Sequence, residues 1–203
     1  MTTIGNNLAA VRQRIAAACA AAGRDPAGVQ LLAVSKTFGP EAVQAARDAG
    51  QQAFGENYLQ EGVAKVEALR ALGLVGVEWH CIGPVQSNKT KLAAAHFDWV
   101  QSVDRLKIAE RLSAQRPDHL PPLQVCLQVD IDGGANKSGA APEDVPALAR
   151  AVAALPRLQL RGLMTIPEPQ PDAAAQEAVH RRARALFDRL VADGLPLDTL
   201  SMG

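Results

Sequence analysis

An amine at the end of an apolar run is the first place in this chain where chemistry could happen. Val29-Gln30-Leu31-Leu32-Ala33-Val34-Ser35-Lys36 reads as a buried parallel strand closed by Lys36. Thr37-Phe38-Gly39-Pro40 breaks the run, and Glu41 to Ala49 reads as a helix. A lysine carried to the carboxyl end of a strand in a βα unit stands where α/β sheets and barrels hold their ligands. Apolar walls there would desolvate the amine and lower its pKa from about 10.4. A neutral amine attacks an aldehyde and forms a Schiff base. The competing reading is a lysine that reaches out of a strand end into water.

Other polar side chains fall at comparable places. Glu56 and Asn57 follow a second strand, and His80 lies in a third just before Gly83. Asn136, Lys137 and Ser138 sit in a loop after a fifth, Met164 and Thr165 close a sixth, and Ser201 and Gly203 close a seventh. In a barrel these positions would share one rim. Taken singly, each has a plain structural role. His80 reads as a satisfied structural histidine, Asn57 as a helix N-cap, and Asn88-Lys89 as the cap and charge of another helix start. Gly133-Gly134-Ala135-Asn136-Lys137-Ser138 is not a nucleotide phosphate loop, because Asn136 stands where the second glycine should be. Cys19, Cys81 and Cys126 are scattered and have no metal-ligand spacing, which suits a reducing cytoplasm.

These residues need elements to position them. Leu8, Val11 and Ile15 begin an Ala-rich helix that Gly23 stops. Strand and helix then alternate. Strands are predicted over 29–36, 52–54, 77–82, 99–103, 123–131, 158–165 and 197–202. Helices are predicted from Glu41 to Ala49, from after Asn57 to about Leu72, from near Ser87, from Asp104 to Gln115, from Pro142 to Leu155, and up to Ala192. Such a rhythm predicts a (β/α) barrel of the eight-stranded TIM type, with an open doubly wound sheet as the other arrangement. The chain stops where strand seven would end, so the last strand and helix of the barrel are expected to be missing.

Composition narrows the function classes. The 203 residues are 48% hydrophobic and 21% charged, as in soluble globular proteins, and no linker-like segment divides them. We expect a single domain over 1–203. Formal net charge is zero, with 21 basic and 21 acidic residues, which argues against a nucleic-acid or anionic-membrane partner held by bulk charge. No apolar stretch approaches the roughly 20 residues of a membrane span, and the N-terminus does not read as a signal peptide.

Six segments in order resemble the YggS/PROSC family of pyridoxal phosphate homeostasis proteins. They are Ala33-Val34-Ser35-Lys36, Phe54-Gly55-Glu56-Asn57-Tyr58-Leu59-Gln60-Glu61, His80-Cys81-Ile82-Gly83-Pro84-Val85-Gln86-Ser87-Asn88-Lys89, Lys137-Ser138-Gly139, Arg161-Gly162-Leu163-Met164-Thr165-Ile166-Pro167 and Leu200-Ser201-Met202-Gly203. The resemblance implies a barrel like that of alanine racemase, with Lys36 bearing pyridoxal 5′-phosphate as an aldimine. It implies cofactor contacts from Asn57, His80, Met164, Ser201 and Gly203. It further implies a monomeric cytoplasmic protein that buffers the cofactor and passes it to apoenzymes without turnover.

The resemblance also sets an expectation for the chain end. Family members continue past Ser-Met-Gly with segments that carry much of the phosphate site, so this chain is expected to bind the cofactor weakly and to self-associate. Two other functions stay open on sequence: a racemase-like enzyme using the same aldimine, and a barrel fragment with no ligand. A racemase of this barrel type draws a second base, a tyrosine, from another domain, and this chain has one tyrosine, Tyr58.

Overall fold

The computed structural model describes residues 3–133 and 138–203. Contacts gather into two compact units, Met1–His80 and Cys81–Gly203. Within each unit the strands are parallel and neighbour one another in chain order.

The first unit opens with helix α1 (Thr3–Ala21), ended by Gly23 in the left-handed region at φ 61. Strand β1 (Ala33–Val34), helix α2 (Pro40–Asp48), strand β2 (Ala53–Glu56), helix α3 (Leu59–Ala71) and strand β3 (Glu78–Cys81) follow, β3 running over the boundary. Pro40 starts α2, where its missing N–H costs nothing, and Val43 and Ala46 bury one face. The strands β1 and β2 pair in the register Ala33 to Phe54 and Val34 to Gly55.

β1 is far shorter than the predicted 29–36, and Gln51 supplies part of the reason. Its side-chain nitrogen donates to Leu31 O at 2.7 Å and to Ala53 O at 2.8 Å. The carbonyl of Leu31 is therefore satisfied by a side chain and not by a neighbouring strand. Arg12 holds Gln51 in place at 3.3 Å and donates to Gly50 O at 2.8 Å.

The second unit contains helix α4 (Thr90–His96), strand β4 (Trp99–Val103), helix α5 (Leu106–Gln115), strand β5 (Leu123–Gln128), helix α6 (Val145–Ala153), strand β6 (Leu158–Thr165), helix α7 (Ala173–Ala192) and strand β7 (Thr199–Met202). Its core is aliphatic, with Val100, Ile108, Leu112, Leu127, Leu163 and Leu190 fully buried. Buried Arg116 donates to Ala94 O at 2.6 Å and Phe97 O at 2.8 Å, satisfying carbonyls at the end of α4. Asp172 caps α7 by accepting from Ala175 N at 2.8 Å.

β6 carries a bulge. Val125 faces Leu160 and Cys126 faces Gly162, so Arg161 faces no residue of β5. Gly162 is required at the next position, because a Cβ there would lie 1.7 Å from Thr199 O of β7. β5 stops at Gln128, short of the predicted Ile131, with one isolated bridge from Val129 to Ala140 beyond it.

Candidate functional site

Lys36 lies two residues beyond the β1 ladder and not at its last rung. It is exposed, so the desolvating apolar wall expected around its amine is not found on it. The short β1 explains this: the chain has already left the sheet and entered a turn. Phe38 N donates to Ser35 O at 3.1 Å, and Thr37 adopts a left-handed φ of 67, unusual for a β-branched residue.

A buried polar network supports this turn. The Ser35 hydroxyl donates to Glu56 Oε1 at 2.6 Å. Lys65 Nζ donates to the same oxygen at 2.6 Å, to Ser35 O at 2.8 Å and to Glu61 Oε1 at 3.3 Å. Glu61 Oε1 also accepts from Thr37 N at 2.7 Å. The side chains of Lys65 and Glu56 are 3% and 0% exposed. The sequence marks Glu56 as a strand-end residue within the family segment 54–61 and gives Lys65 no role. One signal was available: Lys65 stands three residues after Gly62 and four before Leu69, both buried on α3.

Asn57 was expected to cap α3. The N-cap position is instead Tyr58, which makes no side-chain cap bond and is largely exposed. Asn57 Oδ1 is buried and has no hydrogen-bond partner. Lys36 and Asn57 directly follow Ser35 and Glu56, whose side chains are bonded, so the register of β1 and β2 delivers both residues to one edge. His80 is buried, with Nε2 2.8 Å from Glu78 Oε1.

In the second unit the register sets Met164 opposite Ser201, and Gly203 N donates to Thr165 O at 3.1 Å. Met164, Ser201 and Gly203 are thus gathered at the adjoining ends of β6 and β7. Their polar donors have partners already, since Ser201 Oγ donates to Gln101 Oε1 at 2.7 Å. Thr165 Oγ1 is buried without a partner. Met164 is buried with Trp99 and Cys126. Burial pushes the Cys126 thiol up to about 12; the Arg161 charge opposes this by less and the Asp198 charge adds to it slightly. The Arg161 guanidinium lies 4.9 Å from the centre of the Trp99 ring and is bonded to Asp198. That bond holds the Asp198 carboxyl below its ordinary value.

Asn88 does not cap α4. Lys89 occupies the N-cap position without a side-chain bond, after a tight turn over Ser87–Lys89. Asn136 and Lys137 lie outside the described residues.

The first unit therefore offers an exposed amine on a braced turn and a buried oxygen that has no protein donor. This set suits a ligand with an electrophilic carbon for the amine and a hydrogen-bond donor for the amide oxygen. Among the described residues, no group of three His, Cys, Asp or Glu side chains could hold a metal ion. No described helix is long and apolar enough to cross a membrane.

A family model for the alanine racemase N-terminal domain matches residues 6–203. A pyridoxal phosphate homeostasis protein from Pseudomonas aeruginosa is 60% identical over 203 residues, covering all of this chain and 86% of the relative. One from Escherichia coli K12 is 50% identical and 87% covered. Among solved structures, PipY of Synechococcus elongatus PCC7942 with pyridoxal phosphate bound superposes with a TM-score of 0.83 at 37% identity, covering 99% of this chain and 89% of PipY. An alanine racemase of Clostridium difficile 630 shares the fold, with a TM-score of 0.72 at 13% identity over 87% of this chain and 46% of the racemase.

Proposed function

This chain belongs to the YggS/PROSC family of pyridoxal phosphate homeostasis proteins, with the α/β barrel fold of the alanine racemase N-terminal domain, and we propose that Lys36 holds the cofactor reversibly as a Schiff base. The protein binds pyridoxal 5′-phosphate and serves its homeostasis without turning over a substrate. Its relatives carry that name at 60% and 50% identity, and PipY holds the cofactor in a closely similar fold. We place it in the cytoplasm, where it releases cofactor to apoenzymes.

The single observation that carries the role of Lys36 is its position: an exposed amine on a turn whose two neighbours are pinned, Ser35 by the buried side chains of Glu56 and Lys65 and Thr37 by the half-buried Glu61. When bound, the cofactor supplies an aldehyde that condenses with an amine and releases water. Lys36 presents that amine from the open side of its turn, where water can also return to reverse the condensation. Asn57 Oδ1 accepts a hydrogen bond from the ligand and so loses its unpaired state. His80 is kept by Glu78 in a fixed orientation and packs against the ligand without transferring a proton. Met164, Ser201 and Gly203 remain the contacts implied by family resemblance, and Ser201 would have to trade its Gln101 partner for a ligand oxygen.

Borohydride reduction of the loaded protein, followed by peptide mapping, tests this reading. The label should fall on Lys36 and disappear in Lys36→Ala. Label found mainly on Lys89 or Lys137 in the native protein would overturn the assignment.

A further inference from the structure

The network beneath the Lys36 turn has a feature that packing does not account for. Glu56 and Lys65 form an ion pair at 2.6 Å with almost no solvent contact, and Glu56 Oε2 has no partner. Burying two charges costs desolvation that their attraction only roughly repays, and an apolar pair of equal volume would hold a core as well. The bonds from this pair are not spread over the core. They converge on Ser35, which precedes Lys36, and reach Thr37, which follows it, only through Glu61, whose Oε1 accepts from both Lys65 and the Thr37 amide. Ser35 is held through both its hydroxyl and its carbonyl, and Thr37 through its amide. Thr37 is also where the backbone enters the left-handed region, a conformation a β-branched residue leaves readily unless its surroundings fix it.

We infer that Glu61, Glu56 and Lys65 are positioning residues that lock the Ser35–Thr37 turn and so aim the Lys36 amine. This rests on the reading that Lys36 carries the cofactor. None of the three needs to touch the ligand. Glu61 is the direct clamp, because one oxygen accepts from Thr37 N and from Lys65 together. Lys65 joins that clamp to Ser35, and Glu56 balances the charge of Lys65. The arrangement resembles the outer layer of a metal site, where a second ring of side chains fixes the orientation of the first.

Glu61 is the residue to vary, since its side chain is 35% exposed and its loss leaves no buried charge of its own. Glu61→Gln keeps an oxygen for the Thr37 amide, and Glu61→Ala removes it. Two readouts are taken on each. The first is hydrogen exchange of the Thr37 amide in the cofactor-free chain. The second is the rate at which borohydride fixes pyridoxal phosphate to Lys36. Glu61→Gln should stay within about twofold of the parent on both, while Glu61→Ala should lose about tenfold on both, the scale of one charge-assisted hydrogen bond. A double variant, Glu56→Gln with Lys65→Met, keeps the site neutral. It should melt near the parent temperature yet label Lys36 about tenfold more slowly.

The positioning role is overturned if Glu61→Ala labels Lys36 at the parent rate, or if Glu61→Gln falls as far as Glu61→Ala. It is overturned as well if the double variant labels Lys36 normally. A parent protein that never labels Lys36 would sink the cofactor assignment itself and the positioning role with it. Normal parental labelling with unaffected variants would remove only the positioning role.

Discussion

Asp198 shows how one side chain ties stability to acidity. Arg161 Nε lies 2.8 Å from Asp198 Oδ1 and Nη2 lies 2.6 Å from Oδ2. The carboxyl is held below its ordinary value chiefly by that bond, against a smaller opposing effect of burial. A carboxyl depressed on folding stabilises the native state above its unfolded pKa, and the gain is lost as pH falls through the folded value. Asp198→Asn should therefore melt at a lower temperature than the parent at neutral pH. The gap should begin to narrow as the pH falls past about 3.9, the ordinary carboxylate value, and close only once the pH has passed below the depressed value of the folded protein. Melting curves down that pH range check it, and a gap that persists in acid would assign the loss to packing. Single residues were unevenly legible in sequence. Lys36 and Asn57 stood out because a strand end is a recognisable place. Lys65 did not, because a lysine on a helix reads as solvated until its carboxylate partner from another element is known.

At the scale of the element, β4 and β6 match the predicted spans: β4 is buried along its whole length, and β6 is buried from Gly162 to Thr165. β1 does not, because the apolar run 29–36 leaves the ladder early and Gln51 satisfies part of its backbone. The periodicity of a sequence reports burial, and a half-buried segment can be apolar without being paired. The close approach of β6 to β7 was also hidden, since it depends on a glycine whose missing Cβ faces a carbonyl from a distant part of the chain. Gly162→Ala should cost about 3 kcal/mol, because the oxygen it meets is backbone and cannot rotate away. Urea unfolding gives the number. A change below about 0.5 kcal/mol, the range of an ordinary surface substitution, would mean that the two strands separate freely.

For the whole molecule, the 21 basic and 21 acidic residues balance, which leaves no bulk charge to hold a nucleic acid. The alternation of strands and helices made the fold class legible. The six ordered segments carried the family, and the match over residues 6–203 bears that out. The cofactor role was not legible from charge or length, since those are ordinary. Non-turnover leads to a further expectation. Tyr58 is 59% exposed and His80 is buried beside Glu78, so neither is a base set against a ligand on the Lys36 turn. With pyridoxal phosphate and L-alanine in heavy water, loss of the α-proton should be no faster than with free cofactor. Faster exchange that Tyr58→Phe abolishes would establish a racemase-like activity instead.

The bulge in β6 has a bearing on how this strand can change length. Leu123–Gln128 spans the same ladder as Leu158–Met164, which is one residue longer, and Arg161 is the surplus. Removing a residue anywhere else in that stretch would slide its neighbours past their partners and turn their side chains to the opposite face. Removing Arg161 would leave every facing pair where it is, at the cost of the backbone bond from Asp198 N to Arg161 O and of the side-chain contacts with Asp198, Gln124 and Trp99. The position most tolerant of deletion in backbone terms is therefore the one whose side chain has most to lose.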